Sequence, residues 1–182
     1  MTFIKGDKIN LSAKYDNEEM AELLNTDFKG SQLHRLPLFI PKENDNNNLI
    51  LAIMFNAGGN QKLIGRVSLE DINHINQSAE LKIFVSPEHQ GKGIGLEACK
   101  LIIRHAFLRL NLRRVYAGTL DNNEGFKKLA EGLRMEQEGI RKEAVHNDGK
   151  FIDVIEFGLL KGGVLDNGKK EDDDERERHD DG

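Results

Sequence analysis

One cysteine, Cys99, stands in the whole chain, so no intrachain disulfide can form. No apolar run approaches the roughly 20 residues that cross a bilayer. Positive charge is not in excess. The 26 Lys and Arg against 31 Asp and Glu give a net charge of −5, the opposite of the basic surface a nucleic-acid binder carries. Residues 1–10 mix charges into their apolar positions and do not read as a signal peptide. From Lys169 to Gly182 no aliphatic or aromatic residue occurs, and such a segment cannot bury enough surface to offset its ordering entropy. These absences predict a soluble, cytoplasmic protein with neither a membrane nor a nucleic acid as partner. Residues 1–160 form one domain, long enough to bury its own core, and residues 161–182 form a disordered acidic tail.

What is present is patterned hydrophobicity. A short strand is expected over residues 9–13 and a helix over 18–24, capped by Asp16 or Asn17. A weaker helix follows over 27–36. Pro37 and Pro41 bracket three apolar residues, and 42–48 is a polar loop. Residues 49–55 are continuously apolar, as in a strand covered on both faces. A glycine turn at 56–60 then leads into alternation over 62–70, with Leu63, Val67 and Leu69 on one side and Arg66, Ser68 and Glu70 on the other. Residues 80–85 alternate as well. The clearest helix is 93–110, with Cys99, Ile102, Ile103, Ala106, Phe107 and Leu110 on one face. A strand (113–120), a helix (122–133) and a hairpin (135–145 with 150–160, turning at Asn147-Asp148-Gly149) complete the order.

The richest stretch is Gln90-Gly91-Lys92-Gly93-Ile94-Gly95, which leaves a strand and opens the best helix. Glycines there let backbone approach a ligand, and the first N–H groups of a helix form an anion site suited to a pyrophosphate. Lys92 adds a charge. Two other readings exist. One is a plain tight turn. The other is a dinucleotide fingerprint, since Gly93 to Ala98 fits G-x-G-x-x-A and Asp121 ends the next strand. Against it, a loop with Pro87 separates the glycines from their strand, and the preceding strands are hairpin-linked.

The loop resembles the signature of the GNAT acyltransferases, Q/R-x-x-G-x-G/A between a strand and a long helix. The order of elements over about residues 2–160 is similar too. The resemblance implies an α+β fold: a mixed, mostly antiparallel, V-splayed sheet with helices on both faces. It implies acetyl-CoA as co-substrate, held by Gln90, Gly91, Lys92, Gly93, Ile94 and Gly95, and no metal. Backbone N–H groups of Ile83, Phe84 and Val85 would serve the acetyl and pantetheine groups. Asn123 sits where the family places an asparagine beside the pantetheine arm, and counts here among both catalytic and cofactor-binding candidates. The ending, Glu138-Gly139-Ile140-Arg141 and then Gly149 to Val154, is similar to the Rim-type branch and its E-G-x-x-R … G-x-x-x-D-V pattern. That branch acetylates protein N-termini, polyamines and amino sugars, with a slight preference here for amino sugars, in a monomer or homodimer. Two positions depart from the family. Ala130 stands where many members carry a tyrosine that protonates the CoA sulfur, and Arg134-Met135 replaces the usual Gly-Phe. The acid is therefore unassigned, and a catalytically silent acetyl-CoA-binding module stays open as the alternative.

An alkylammonium must lose a proton before it attacks a thioester. Glu80, opposite in face to Leu81, is the candidate base, against a plain solvent-facing carboxylate. Asp71 and His74 are weaker candidates. Tyr116 is an alternative acid, with a packing role as its other reading. His89 reads as a surface residue and Cys99 as core, and the histidines show no metal-ligand spacing.

Overall fold

The computed structural model of the chain describes residues 3–27, 44–57, 60–147 and 149–165. Its strands are β1 (Phe3–Lys5), β2 (Ile9–Ser12), β3 (Leu49–Ala57), β4 (Asn60–Asn73), β5 (Ser78–Val85), β6 (Arg114–Leu120), β7 (Glu136–Asn147) and β8 (Lys150–Leu160). Helices are α1 (Asn17–Asp27), α2 (Ile94–Leu108), α3 (Glu124–Gly132) and the short α4 (Lys161–Leu165). The strands make one sheet in the order β1-β2-β3-β4-β5-β6-β8-β7. Only β5 and β6 run parallel among the described strands; every other neighbouring pair is antiparallel. This is the mixed sheet expected, and it removes the repeated parallel unit that a dinucleotide fold needs.

Local chemistry sets the elements. Asp16 caps α1, its Oδ1 accepting from the N–H groups of Glu18 and Glu19 at 2.8 and 3.0 Å. The apolar stripe of α2, from Ile94 through Ala98, Cys99, Ile102, Ile103 and Ala106 to Phe107, is buried against one sheet face. That face presents Ile53, Val67, Leu69, Leu81, Val85, Val115 and Ala117. Burying one such Leu or Phe side chain contributes about 1.5–3 kcal/mol. Cys99 is fully buried there, and burial pushes its thiol well above the ordinary range.

The opposite face departs from the expected alternation at one point. Between Ile53 and Met54 the β3–β4 register slips, so that Ile64 has no partner on β3. This bulge inverts the alternation, and Leu63 lies beneath α1 with Met20 and Ala52, away from Val67 and Leu69. The polar side of β4 is buried: Arg66, Ser68 and Glu70 are 3%, 0% and 1% exposed.

Of the helix expected over 27–36, Asp27 ends α1 and residues 28–36 lie outside the described residues, as do the apolar residues between Pro37 and Pro41, Gly58, Gly59 and residues 166–182. Where a disordered tail was expected to begin, α4 starts instead, with the Lys161 N–H bonded to the Arg113 carbonyl. No helix among the described residues is long and apolar enough to cross a membrane.

Candidate functional site

The β5–β6 pairing lasts only three rungs: Ser78 with Arg114, Ala79 with Val115 and Glu80 with Tyr116. Beyond them β5 stays with β4 and β6 stays with β8, so the sheet opens as a fork. Hydrogen-bond alternation shows which backbone groups face the opening. The Ser86 N–H donates to Ile64 O and the Arg114 N–H to Gln77 O. Even-numbered residues of β5 therefore direct their N–H and C=O to β4, and odd-numbered ones direct theirs to the fork. Ile83 and Val85 face the opening, whereas the backbone of Phe84 is turned to β4. On β6, Gly118 and Leu120 face the opening by the same alternation.

The glycine loop closes the wide end of the fork. Gly91 and Gly93 hold φ of 71° and 80°, a region that favours glycine, and a Cβ at either would meet nothing within 4 Å. The loop thus needs glycine for its backbone path and leaves open space before it. Gly93 is the N-cap of α2 and makes no side-chain cap bond. The first N–H groups of α2 therefore point outward with the positive end of the helix dipole behind them. Ile94 is buried and anchors the helix, so only its backbone serves the loop. At Gly95 a Cβ would meet Ile83 Cδ1 at 3.6 Å and Val85 Cγ2 at 3.8 Å, ordinary contacts with β5 side chains of the core. The Gln90 amide donates to Val85 O at 2.8 Å and pins the loop to the end of β5. The Lys92 ammonium donates to Glu88 O at 2.7 Å, which keeps its charge at the loop. His89 meets Ser86 Oγ at 2.8 Å and tilts against Phe55, so it braces the turn before the loop. These features fit a bound pyrophosphate followed by an amide-bearing arm running along β5.

At the narrow end stands a cluster of charges. Glu70 Oε1 accepts from Arg66 at 2.6 Å and from Ser68 Oγ at 2.8 Å, and its Oε2 accepts from Lys82 at 3.1 Å. The same Lys82 ammonium lies 3.2 Å from Glu80, whose side chain is 18% exposed. Glu80 is thus at the last rung of the fork, on the face that carries this network. Tyr116, its partner in the register, is half-buried. Burial and then the charges of Glu80 and Asp71 hold its hydroxyl above the usual phenol range, with Arg114 opposing and Glu156 adding to the rise. Asp71, at φ 50°, donates its backbone N–H to Asn48 Oδ1 at 3.3 Å. His74 is exposed, with Nε2 2.8 Å from Asn46 O, and ties the β4–β5 turn to the preceding loop. Among the described residues no group of His, Cys, Asp and Glu could hold a metal ion.

Asn123 is the N-cap of α3. Its Oδ1 accepts from the Phe126 N–H at 3.1 Å and its Nδ2 donates to Thr119 Oγ1 at 3.0 Å. Asn123→Ala is expected to cost about 1 kcal/mol in a urea melt, and Asn123→Ser to restore most of it. Equal loss in both variants would show that the cap is not what the side chain supplies. Ala130 is fully buried on α3, with its carbonyl bonded to the Met135 N–H. No proton donor stands at that position.

The sequence reading missed Lys82 and the buried Arg66–Glu70 pair. The signal was present as Arg66-Ser68-Glu70 facing Glu80-Lys82, but it appears only once the hairpin register is known.

Comparison with known proteins adds a family. The model of the acetyltransferase (GNAT) domain matches residues 8–136. A putative ribosomal N-acetyltransferase of Bacillus subtilis is 31% identical over 99 residues, 54% of each chain. A spermidine N(1)-acetyltransferase of Vibrio cholerae is 33% identical over 105 residues, 58% of this chain and 61% of that one. The chain thus spans little more than half the length of these relatives. Among solved structures, spermidine N-acetyltransferase from Vibrio cholerae in complex with CoA and spermine superposes with a TM-score of 0.75 at 24% identity. That match covers 88% of this chain and 99% of that one, and it shows a shared fold.

Proposed function

Because the chain belongs to the GNAT acetyltransferase family, we propose that it moves an acetyl group from acetyl-CoA to a primary amine at the fork between β5 and β6. The observation that carries this reading is the parting of the two strands after Glu80 and Tyr116, with an uncapped helix N-terminus at one end and carboxylates at the other. Backbone N–H groups from Gly91 to Gly95 take the pyrophosphate. The N–H groups of Ile83 and Val85 serve the arm and the carbonyl oxygen as charge develops on it. Glu80 accepts the proton of the attacking amine, and Lys82 orients its carboxylate. Asn123 acts through the start of α3, which it caps.

The amine reaches Glu80 from the α1 side, where a cavity of about 1070 Å³ is lined by Asn17, Met20, Ala21, Leu24 and Arg66. The carboxylates of Glu70, Asp71 and Glu80 stand at the narrow end of the fork, with Arg66 and Lys82 among them, and that charge is the ground for testing a cationic acceptor. Together with the relatives' names, this puts a polyamine ahead of an amino sugar as the first acceptor to test. Thiol release from acetyl-CoA, measured over a panel of polyamines, amino sugars and peptides, tests the reading. Release that depends on an amine supports it.

A second reading rests on Ala130, buried where the family's tyrosine is usual: a module that binds acetyl-CoA without turning it over. Binding of acetyl-CoA with no acceptor across the panel would favour this reading.

The domain is proposed to end with α4. Removing residues 166–182 is expected to leave the melting temperature and turnover unchanged, because the segment from Lys169 on has no apolar residue to dock. A large drop in either quantity would give the tail a role in the body or at the acceptor site.

A further inference from the structure

We propose that Tyr116 is the proton donor to the departing CoA sulfur, acting as one unit with Glu80 at the last rung before the strands part. This rests on the acetyl-transfer reading above and supplies the acid that Ala130 leaves vacant.

Placement carries the inference. Tyr116 is the β6 residue paired with Glu80 in the last β5–β6 rung. Paired residues of a parallel ladder share a face, so the two side chains lie side by side, with strands ~4.8 Å apart. The adjacent β6 residues Val115 and Ala117 point into the core under α2, which sends Tyr116 to the acceptor side. A packing role does not account for it. Tyr116 belongs to none of the buried apolar clusters and is not packed against any of them. Among the described residues its ring meets the Arg114 guanidinium, 5.8 Å from the centroid, and Arg114 is itself held by Glu138. The hydroxyl makes no hydrogen bond to a described residue and is not a buried unsatisfied atom, so it is open to a ligand or solvent.

Other donors near the fork are committed. Thr119 is buried on the same side of β6 as Val115 and Ala117, away from Tyr116, and Cys99 is fully buried. The groups facing Tyr116 are Glu80 on β5, Asp71 near the end of β4, Arg114 on β6 and Glu156 on β8. Burial and the three carboxylates keep the phenol protonated through neutral pH, the form a donor needs.

The protons balance. The ammonium gives one proton to the Glu80 carboxylate, and the free amine attacks the carbonyl carbon to form the C–N bond. As the C–S bond breaks, the Tyr116 hydroxyl gives its proton to sulfur. The Glu80 carboxyl returns a proton to the Tyr116 oxygen directly or through one water. The second proton of the nitrogen then passes to the Glu80 carboxylate and on to solvent, and both residues end as they began.

The test compares the full-length protein with Tyr116→Phe, which keeps the ring against Arg114 and removes only the hydroxyl. The chain holds two tyrosines and no tryptophan, so the difference in tyrosinate absorbance between the two proteins reports Tyr116 alone. That difference is expected to titrate above the ordinary value of about 10. Turnover is expected to fall about 10²-fold or more while acetyl-CoA affinity stays unchanged. Parental turnover in Tyr116→Phe overturns the role, as does a parallel loss of affinity and rate, or a titration near neutrality. If the parent protein binds acetyl-CoA yet acetylates no amine, the acetyl-transfer reading itself fails, and the role of Tyr116 fails with it.

Discussion

Gly95→Asp is expected to leave the protein folded and to lower its affinity for acetyl-CoA by roughly a hundredfold or more. The backbone there is not in the left-handed region, and an added Cβ finds ordinary contacts with Ile83 and Val85, so folding is not the obstacle. The new carboxylate would stand in the first turn of α2, beside the N–H groups assigned to the pyrophosphate. Two like charges about 4 Å apart repel by about 4 kcal/mol at an intermediate effective dielectric of ~20, and solvent screening reduces that to the stated range. Gly93→Asp is expected to act the same way, with an added backbone cost because φ is 80°. Gly93→Ala separates the two effects, since it carries the strain without the charge. Calorimetric titration with acetyl-CoA gives the affinities and a thermal melt gives the fold. Parental affinity in a folded Gly95→Asp protein would remove the loop from the cofactor site.

Glu80→Gln is expected to cut turnover by about 10²–10⁴, the usual worth of a positioned general base. The amide keeps the shape of the side chain and can still accept from Lys82, so the charge network around Glu70 stays in place. Acetyl-CoA affinity is expected to hold, because the carboxylate faces the amine. The loss should be greatest near neutral pH and shrink at high pH, where the acceptor is already a free amine. A rate within about threefold of the parent across pH would reject Glu80 as the sole base, being far below that range. Asp71, near the end of the neighbouring strand β4, is the carboxylate to test after that. Loss of affinity together with rate would mark Glu80 as structural.

The glycine loop and its backbone shape were legible because their information is local. Glycines at alternate positions opening an amphipathic helix need no tertiary context, and the structure uses Gly91 and Gly93 for their positive φ. The core stripe of α2 was legible for the same reason. The fork was not. Splaying after three rungs leaves no mark on side-chain periodicity, so it entered only through resemblance. Resemblance also could not resolve Phe84 from its neighbours, since which carbonyls and N–H groups face the fork depends on the pairing with β4. Alternation over 62–70 was read correctly from Arg66 on and wrongly at Leu63, because one unpaired residue at the bulge exchanges the faces. The burial of Arg66 and Glu70 was hidden for another reason. A period of two identifies a polar face but not what covers it, and α1 packs there. Lys82 was missed because its position between Glu70 and Glu80 depends on hairpin register. That register is set by an irregular turn with positive φ at Asp71 and Gln77.

The central claim is that the fork holds acetyl-CoA and hands its acetyl group to an amine. The most direct test incubates the purified protein with acetyl-CoA and spermidine and follows free thiol and acetylated amine together. The account predicts that both appear in equal amounts, that neither forms without protein, and that Gly95→Asp removes both. Thiol released without acetylated amine, or no amine-dependent release at all from protein that binds acetyl-CoA and is offered the full acceptor panel, would contradict it.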